Sequence, residues 1–528
     1  MSFSPSDLLL PDQMTVRGAG EAVAGTLSIK DGTQGEHLRN YYDTFDGLLH
    51  AAGLTLVHED GRLSLIERAT GLVRDSLATP PPRMPLFAAE LERGPLRDSL
   101  RELTDIRALL PLVQIHSRER RMSVLDAEQK TVVRLALEET SLAGQAGTDS
   151  ALRPRLRITP VRGYDKERHS VQATLEQQLG FKPADEPLVD EAVRVAGGVP
   201  GGFPAKVDVP LRSEQRADTA AAAVLRALLE VIEANLEGTI EDLDSEFLHD
   251  MRVSVRRSRA VQRELQGVFP PADLARFRAE FRWLQQVTGD ARDLDVHVLE
   301  FESMRALVPA AMQDDLDPLL DVLRTRRAQA HRQLVDDLRS ERAAGLLSAW
   351  RTFLDRLQEA DESERPDAAR PIGDVAGERI RKVYRRMVRM GDAIDESSPA
   401  QDYHELRKKG KELRYLLELF GAALYPVEVV KPMIRTLKGL QDVLGRHQDR
   451  EVQVALLRSL APDLIPTRSP GDHPAQPQAG GEAPLLAVGA LIARLAEDEA
   501  AARDEFAGRF EEFAAKDQRR LVAQTFGP

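Results

Sequence analysis

The chain has 528 residues, no cysteine and a formal net charge of −13, and 42% of its residues are apolar. This length is typical of several domains, and the absence of cysteine excludes disulfides, thiolate catalysis and cysteine-based zinc sites. The acidic total argues against a general nucleic-acid binder. The first residues, MSFSPSDLLLPDQM, lack the pattern of a signal peptide, and the longest apolar run, at 485–493, is about half of a membrane span. The sequence therefore predicts a cytoplasmic protein without membrane contact.

Short strand-like segments dominate residues 1–183 and predict an α+β domain built on an antiparallel sheet. The predicted elements are a hairpin at 54–68 that turns at Asp60-Gly61, a second hairpin at 120–137, a strand at 152–164 and a helix at 165–180. On the predicted strand, Arg153, Arg155 and Arg157 share one face. They either line an anion pocket or are surface arginines.

Residues 184–211 are rich in glycine and proline and predict a linker. From residue 212 to 528 apolar residues recur at three- and four-residue spacing, which predicts an all-α domain. Two loops interrupt this pattern, at 359–371 and at about 466–484, and the second is predicted to be disordered.

The helical region contains an internal repeat with a basic stripe. The stripe is His249, Arg252, Arg256 and Arg259 in the first copy, and His404, Arg407, Lys411 and Arg414 in the second. A proline follows each stripe, at Pro270 and Pro426, and a predicted glycine turn follows that, at Gly289 and Gly445; in this frame Arg282 aligns with Lys438. The sequence predicts two related helical bundles, at about 212–350 and 372–515.

A third helix repeats the spacing with Arg379, Lys382, Arg386 and Arg389. Such stripes are usually solvated helix faces, but like charges at this spacing repel by roughly 0.2–0.5 kcal/mol per pair. A multivalent anion would relieve that repulsion. The histidines are either structural or hydrogen-bond donors to phosphate. Asp293, Asp295 and His297 resemble a metal-ligand trio, but aspartates there commonly cap helices or pair with arginine, and no metal site is predicted.

The motifs HDMRVSVRRSR, WLQQVTGDARDLDV, HELRKKGKELRY and LKGLQDVLGRHQDREV resemble the CHAD family of histidine-containing α-helical domains. The resemblance implies two four-helix bundles related by a pseudo-two-fold axis, with a basic surface that binds inorganic polyphosphate. The binding residues that it implies are His249, Arg252, Arg256, Arg259, Arg282, His404, Arg407, Lys408, Lys411, Arg414 and Lys438. The helix at 379–389 is expected to extend the same surface.

Residues 1–183 are similar to the CYTH family, the triphosphate-tunnel fold, through the segments at 41–56 and 118–139 and the strand end PVRGY. That family's catalytic signature is Glu-x-Glu-x-Lys on its first strand, and the signature occurs nowhere in the chain. The first strand is expected at 14–25, MTVRGAGEAVAG, which has no carboxylate pair to hold a divalent metal.

These observations lead to a prediction of non-catalytic polyphosphate binding, with targeting to polyphosphate granules and without a cofactor. The alternative is a divergent metal-dependent triphosphatase in which the helical domain gathers substrate. A nucleic-acid module is a third reading, but the segment at 249–263 has no aromatic platforms for stacking bases.

Overall fold

The computed structural model describes residues 7–143, 150–395, 397–464 and 482–527. The chain forms two compact units, Met1–Ala205 and Lys206–Pro528. The first is an antiparallel sheet with helices, and the second is helical, as the sequence predicts.

The strands of the first unit are β1 (Asp7–Leu9), β2 (Ile29–Thr44), β3 (Leu54–Glu59), β4 (Arg62–Glu67), β5 (Val73–Ala78), β6 (Leu109–Leu125), β7 (Thr131–Leu142), β8 (Ser150–Ala151), β9 (Arg155–Pro160) and β10 (Lys182–Pro183). Its helices are α1 (Val16–Thr26), α2 (Leu48–Ala51), α3 (Pro95–Thr104), α4 (Asp165–Leu179) and α5 (Leu188–Val195).

These strands form one antiparallel sheet in the order β10-β1-β9-β7-β6-β2-β3-β4-β5, with β8 paired to β7. Both predicted hairpins are confirmed, as β3–β4 and β6–β7. The first turns through Asp60 and Gly61, whose φ angles of 49° and 73° are those of a type I′ turn. The predicted helix at 165–180 is also confirmed, and it ends at Gly180 in the left-handed conformation.

The N-terminal segment differs from its prediction. MTVRGAGEAVAG is not a strand but most of α1, because Thr15 caps the helix at the Gly18 amide, and Ala19 and Val23, four residues apart, are buried. The first strand is instead the short β1.

The predicted linker is wrong in its first part, because α5 lies within it. α5 buries Leu188 and Ala192 against Tyr41 and Ile115 on one face of the sheet. An eight-residue helix has little stability alone, so this packing is what stabilises it.

The same helix explains the arginines of β9. Glu191 accepts hydrogen bonds from Arg153 and Arg155, and the Arg155 side chain is only 1% exposed. Arg157 pairs with Asp7 at 3.2 Å and with Glu138 at 3.2 Å. All three guanidinium groups are therefore paired with carboxylates, which corrects the reading that they line an open anion pocket. The alternative reading, surface arginines, holds for Arg153, whose side chain is 43% exposed, but not for buried Arg155.

The helices of the second unit are α6 (Ala217–Ala234), α7 (Leu236–Ile240), α8 (Ser245–Glu264), α9 (Pro271–Val287), α10 (Gly289–Leu299), α11 (Phe301–Arg305), α12 (Asp317–Leu338), α13 (Glu341–Arg356), α14 (Ile372–Gly391), α15 (Ala400–Leu416), α16 (Ala422–Leu424), α17 (Val427–Leu460), α18 (Ala483–Phe513) and α19 (Lys516–Thr525). A π-helical turn, Leu417–Gly421, joins α15 to α16. No helix in the described part of the chain is long and apolar enough to cross a membrane.

The internal repeat is visible in the helix starts. α6 and α14, from Ala217 and Ile372, begin 155 positions apart, and α8 and α15 have the same offset. The two copies share one apolar core, which includes Leu228 of the first copy and Met387 of the second. A second core joins α12 to α17 and α18.

The two predicted glycine turns have different outcomes. A helix boundary does occur at Gly289, where α10 begins, but the turn predicted at Gly445 is wrong because α17 continues through it.

The two predicted loops also differ in outcome. The loop at 359–371 is confirmed as a break between α13 and α14. The loop at 466–484 lies outside the described residues except for its last three, where α18 begins.

Candidate functional site: a basic cavity between the two repeats

The stripe-bearing helices α8 and α15 contact each other. Asp244 fixes the start of α8, because its side chain accepts from the amides of Glu246 and Phe247. Both helices bury an apolar face in the shared core, including Met251 and Leu413. Part of each basic stripe therefore faces a cavity between the two copies.

This cavity has a volume of about 790 Å³. α8, α11, α15 and α17 line it. The predicted site residues that it brings together are His249, Arg256, Arg407, Lys411 and Arg414. The carboxylates of Glu300, Asp442 and Asp449 also line the wall, so cations outnumber acids.

Lys411 has the most unusual electrostatic environment of these residues. Burial, reinforced by Arg407 and Arg256, lowers its pKa to about 8, although Asp449 acts in the opposite direction. Among the described residues no carboxylate forms an ion pair with Lys411. Arg256 is similar in one respect, since its buried Nε has no hydrogen-bond partner in the described part of the chain. A desolvated charge without a counterion is unfavourable, so the cavity suits an anion.

Each glycine of the repeat lies beside the matching arginine. A Cβ at Gly289 would be 3.7 Å from Nη1 of Arg252, and a Cβ at Gly445 would be 3.5 Å from Nη2 of Arg407. Both distances are ordinary van der Waals contacts, so a methyl group would fit at either position. What the two copies share is the location of the glycine beside the matching arginine, whether or not the helix breaks there.

The two arginines nevertheless have different roles. Arg252 is buried and donates to the Gln285 carbonyl at 3.0 Å and to Thr288 Oγ1 at 2.9 Å, so it caps the end of α9. Burial lowers its pKa to about 10. Arg407 lines the cavity and pairs with Asp449 at 3.0 Å. Arg252 therefore does not lie on a solvated helix face, because its hydrogen bonds hold it inside the fold.

The next pair along the stripe is again equivalent. Arg259 donates to the side chain of Gln285, and Arg414 lies 3.4 Å from Oε1 of Gln441, which is the aligned glutamine. Burial, with Arg263 and Arg282 nearby, lowers the pKa of Arg259. Cations thus continue from the cavity along α8 towards Arg282, which is exposed.

The other predicted residues of the second copy lie outside the cavity lining. His404 Nδ1 faces the Gln448 side chain, and Lys408 pairs with Glu405 one turn away. Lys438 is exposed on α17.

The third stripe, on α14, is separate from the cavity lining. Arg379 pairs with Asp367 at 3.4 Å, whereas Arg386 is exposed. Lys382 and Arg389 line a groove of about 780 Å³ next to α19. The sequence predicts one basic surface shared by three helices. In the structure α8 and α15 line this cavity together, whereas α14 lines a different groove.

The cavity lining also contains three arginines that are not among the predicted binding residues: Arg257, Arg446 and Arg450. Each has a carboxylate partner: Glu418 for Arg257 at 2.8 Å, Glu505 for Arg446 and Asp498 for Arg450 at 2.6 Å. Arg257 does not follow the spacing of the stripe, so that pattern could not predict it. Arg446 and Arg450 come directly after Gly445 and are four residues apart from each other, so they share one helix face and could have been predicted from helical spacing.

The trio Asp293, Asp295 and His297 does not form a metal-ligand group in the described structure. Asp295 is buried and pairs with Arg327 at 2.8 Å. The interpretation of this aspartate as an arginine partner is confirmed.

Comparisons with known proteins match part of the chain. Residues 223–458 match the model of the CHAD domain. Two curated proteins of Mycobacterium tuberculosis, named Uncharacterized protein MT2285 and Uncharacterized protein Rv2226, are each 30% identical over 207 residues, which is 39% of this chain and 38% of the relative. The crystal structure of the CHAD domain from the plant Ricinus communis is 26% identical with a TM-score of 0.47, covering 58% of this chain and 95% of that one. The part of the chain that matches the CHAD domain, residues 223–458, lies within the helical unit.

Proposed function

We propose that the helical unit binds inorganic polyphosphate in the cavity between α8 and α15, without hydrolysing it. The observation that carries the proposal is Lys411, a half-buried ammonium group that lies near Arg407 and Arg256 and has no carboxylate ion-pair partner among the described residues. Phosphate oxygens would supply the missing counter-charge, and hydrogen bonds to charged groups contribute about 1.5–3 kcal/mol each. The resemblance to CHAD domains implies the same ligand.

The arrangement favours a linear polyanion over a single phosphate ion. Cations extend from the cavity along α8 to Arg259 and Arg263 and on to Arg282 of α9. Arg263 and Arg282 lie close enough to Arg259 to reinforce the effect of burial, which lowers the pKa of Arg259. A chain of linked phosphates could occupy the cavity and continue along this row. Each occupied position raises the effective concentration of anion at the next.

Single-stranded nucleic acid fits the cavity less well. Tyr415 is the aromatic residue of the lining, and it is 9% exposed, with the Arg257 guanidinium over its ring at 5.8 Å. A covered ring cannot stack on a base, which is the main sequence-tolerant contribution to such binding.

Absence of hydrolysis is part of the proposal, and the first unit supports it. Glu138, a buried carboxylate on β7, lies between Arg39 and Arg157. Burial would raise its pKa, but the two arginines outweigh burial and lower it to about 2. A carboxylate held by two guanidinium groups is not available to a catalytic metal ion. Phosphate release from triphosphate with Mg²⁺ or Mn²⁺, lost in Glu138→Gln, would contradict this part and support the triphosphatase alternative.

The binding test uses calorimetric titration of the full chain with long-chain polyphosphate. Charge reversal by Arg256→Glu with Lys411→Glu removes two phosphate contacts and should weaken binding about 100-fold, from about 1.5 kcal/mol per contact. The matched control is Lys382→Glu with Arg386→Glu, which makes the same change of charge at two exposed positions of α14. We expect the affinity of this control for polyphosphate to change by less than about fivefold.

Salt dependence gives a second criterion. Binding of a linear polyanion releases counterions, and log K falls with log salt by about 0.7 for each neutralised phosphate of a single strand. The slope should be steep for long-chain polyphosphate and shallow for triphosphate. Equal effects of the two double variants, each shown by circular dichroism to be folded, would refute binding in the cavity. Targeting to polyphosphate granules is the cellular role that we propose for this binding.

A further inference from the structure

A cluster of metal-ligand side chains lies in the first unit. His37 lies on β2, Glu59 ends β3, and Asp60 begins the type I′ turn. The Nδ1 atom of His37 is 3.1 Å from Oδ2 of Asp60 and 3.9 Å from Oε1 of Glu59. One ligand atom from each residue lies within 4.8 Å of the others.

We propose that His37, Glu59 and Asp60 bind a divalent transition-metal ion, with Zn²⁺ as the preferred ion. This site is independent of the polyphosphate proposal. The ion would join β2 to the turn of the β3–β4 hairpin.

The surroundings of His37 determine which ring nitrogen can bind the ion. Its Nε2 atom is 3.3 Å from Oε2 of Glu119, a buried carboxylate that Arg121 holds by a 2.9 Å hydrogen bond. The 3.1 Å contact between Nδ1 and Asp60 is a hydrogen bond, which Nδ1–H donates because a carboxylate only accepts. With the hydrogen on Nε2 instead, next to Glu119, Nδ1 presents its lone pair to Asp60 and Glu59. A histidine whose other nitrogen donates to a carboxylate is the common arrangement at metal sites.

This arrangement leaves three acceptors facing one another. A ring lone pair and two carboxylates repel unless a cation lies between them, and that cation is either a metal ion or a proton on Nδ1. Glu59 is itself oriented by a 2.8 Å hydrogen bond from Nε of Arg39, as metal-bound carboxylates usually are. The supporting hydrogen bonds thus exist for both the histidine and a carboxylate ligand.

The ligand set selects the class of ion. One imidazole and two carboxylates suit Zn²⁺ and similar ions, whereas Mg²⁺ prefers oxygen ligands alone. Tetrahedral zinc with bonds of about 2.0–2.2 Å places its ligand atoms roughly 3.3 Å apart. The Asp60 distance already fits, and the Glu59 side chain, which is 32% exposed, has room to approach. Water would complete the coordination.

The test is calorimetric titration of the chelator-treated full chain with Zn²⁺ and separately with Mg²⁺. We expect one Zn²⁺ per chain with a Kd of about 10 μM or tighter, and no saturable Mg²⁺ binding. Asp60→Asn should weaken Zn²⁺ binding at least tenfold while keeping the turn, since asparagine also favours a type I′ turn. Glu119→Gln should weaken it by about 10- to 100-fold through the orientation of His37.

The matched control is His116→Ala. His116 lies on the neighbouring strand β6, 3.7 Å from the carboxylate of Glu36, but no second carboxylate joins it in the part of the chain that the structure describes. Its removal should leave Zn²⁺ affinity unchanged. No Zn²⁺ binding by the parent would show that a proton occupies the cluster, and equal losses in His116→Ala and Asp60→Asn would show an unspecific surface effect; either result overturns the proposal.

Discussion

The pKa of Lys411 makes polyphosphate affinity dependent on pH in the alkaline range. With a pKa of about 8 in the unliganded cavity, about nine in ten Lys411 side chains are protonated at pH 7 and about one in ten at pH 9. If the anion binds the protonated form, affinity should fall about tenfold between these values, or about 1.4 kcal/mol. The assay is titration with long-chain polyphosphate, whose internal phosphates stay ionised throughout this range.

Lys411→Arg is the control, because a guanidinium keeps its charge at pH 9. Its affinity should be nearly independent of pH between 7 and 9. A parent protein whose affinity is equally constant would refute the argument that Lys411 binds the anion as a desolvated ammonium group.

Stability without ligand should change in the opposite direction. The pKa of Lys411 in the folded protein lies below its unfolded value of about 10.4, so its protonated form costs stability in full below about pH 8. That cost is relieved as the pH rises from 8 towards 10.4. Urea unfolding of the parent and of Lys411→Met at pH 7 and pH 9 measures it: the stabilising effect of the substitution should be larger at pH 7.

Two further predictions concern stability, both measured by urea unfolding. Arg365 is fully buried in the loop between α13 and α14, where it lies 3.4 Å from buried Asp218 and donates to the backbone of that loop. Arg365→Met should therefore lower the free energy of unfolding by about 3 kcal/mol or more. An unchanged free energy of unfolding would contradict this reading of the pair. A Cβ at Gly391 would overlap the ring of Phe510, so Gly391→Ala should cost about 1–3 kcal/mol, whereas the control Gly345→Ala, in open space within α13, should raise stability by roughly 0.5–1 kcal/mol.

The sequence determined the helical spacing, and that spacing is a local property. Residues three, seven and ten positions apart share one helix face whatever the helix packs against. For this reason the stripes of α8 and α15, the equivalence of the two copies and the hairpin at Asp60-Gly61 could be predicted without a structure. The antiparallel sheet was predictable for a similar reason, since alternation of apolar and polar residues is also local.

Tertiary packing decided which members of a stripe reach a ligand. Arg252 and Arg407 occupy equivalent positions, yet Arg252 is buried against the end of α9 while Arg407 lines the cavity. Neither outcome follows from spacing, because each depends on the neighbouring helix. The same holds for the separation of α14 from the cavity and for Lys411, whose lack of a carboxylate partner is set by what surrounds it in space.

Packing also decided features whose residues are far apart in the sequence, or whose sequence pattern is too short to predict an element. α5 is too short to be recognised from periodicity among glycines and prolines, and it exists because the sheet covers its apolar face. His37 and Glu119 are far apart in the chain and meet because β2 pairs with β6. Strand register places the histidine between carboxylates, and register is decided by the burial of whole faces rather than by any one residue.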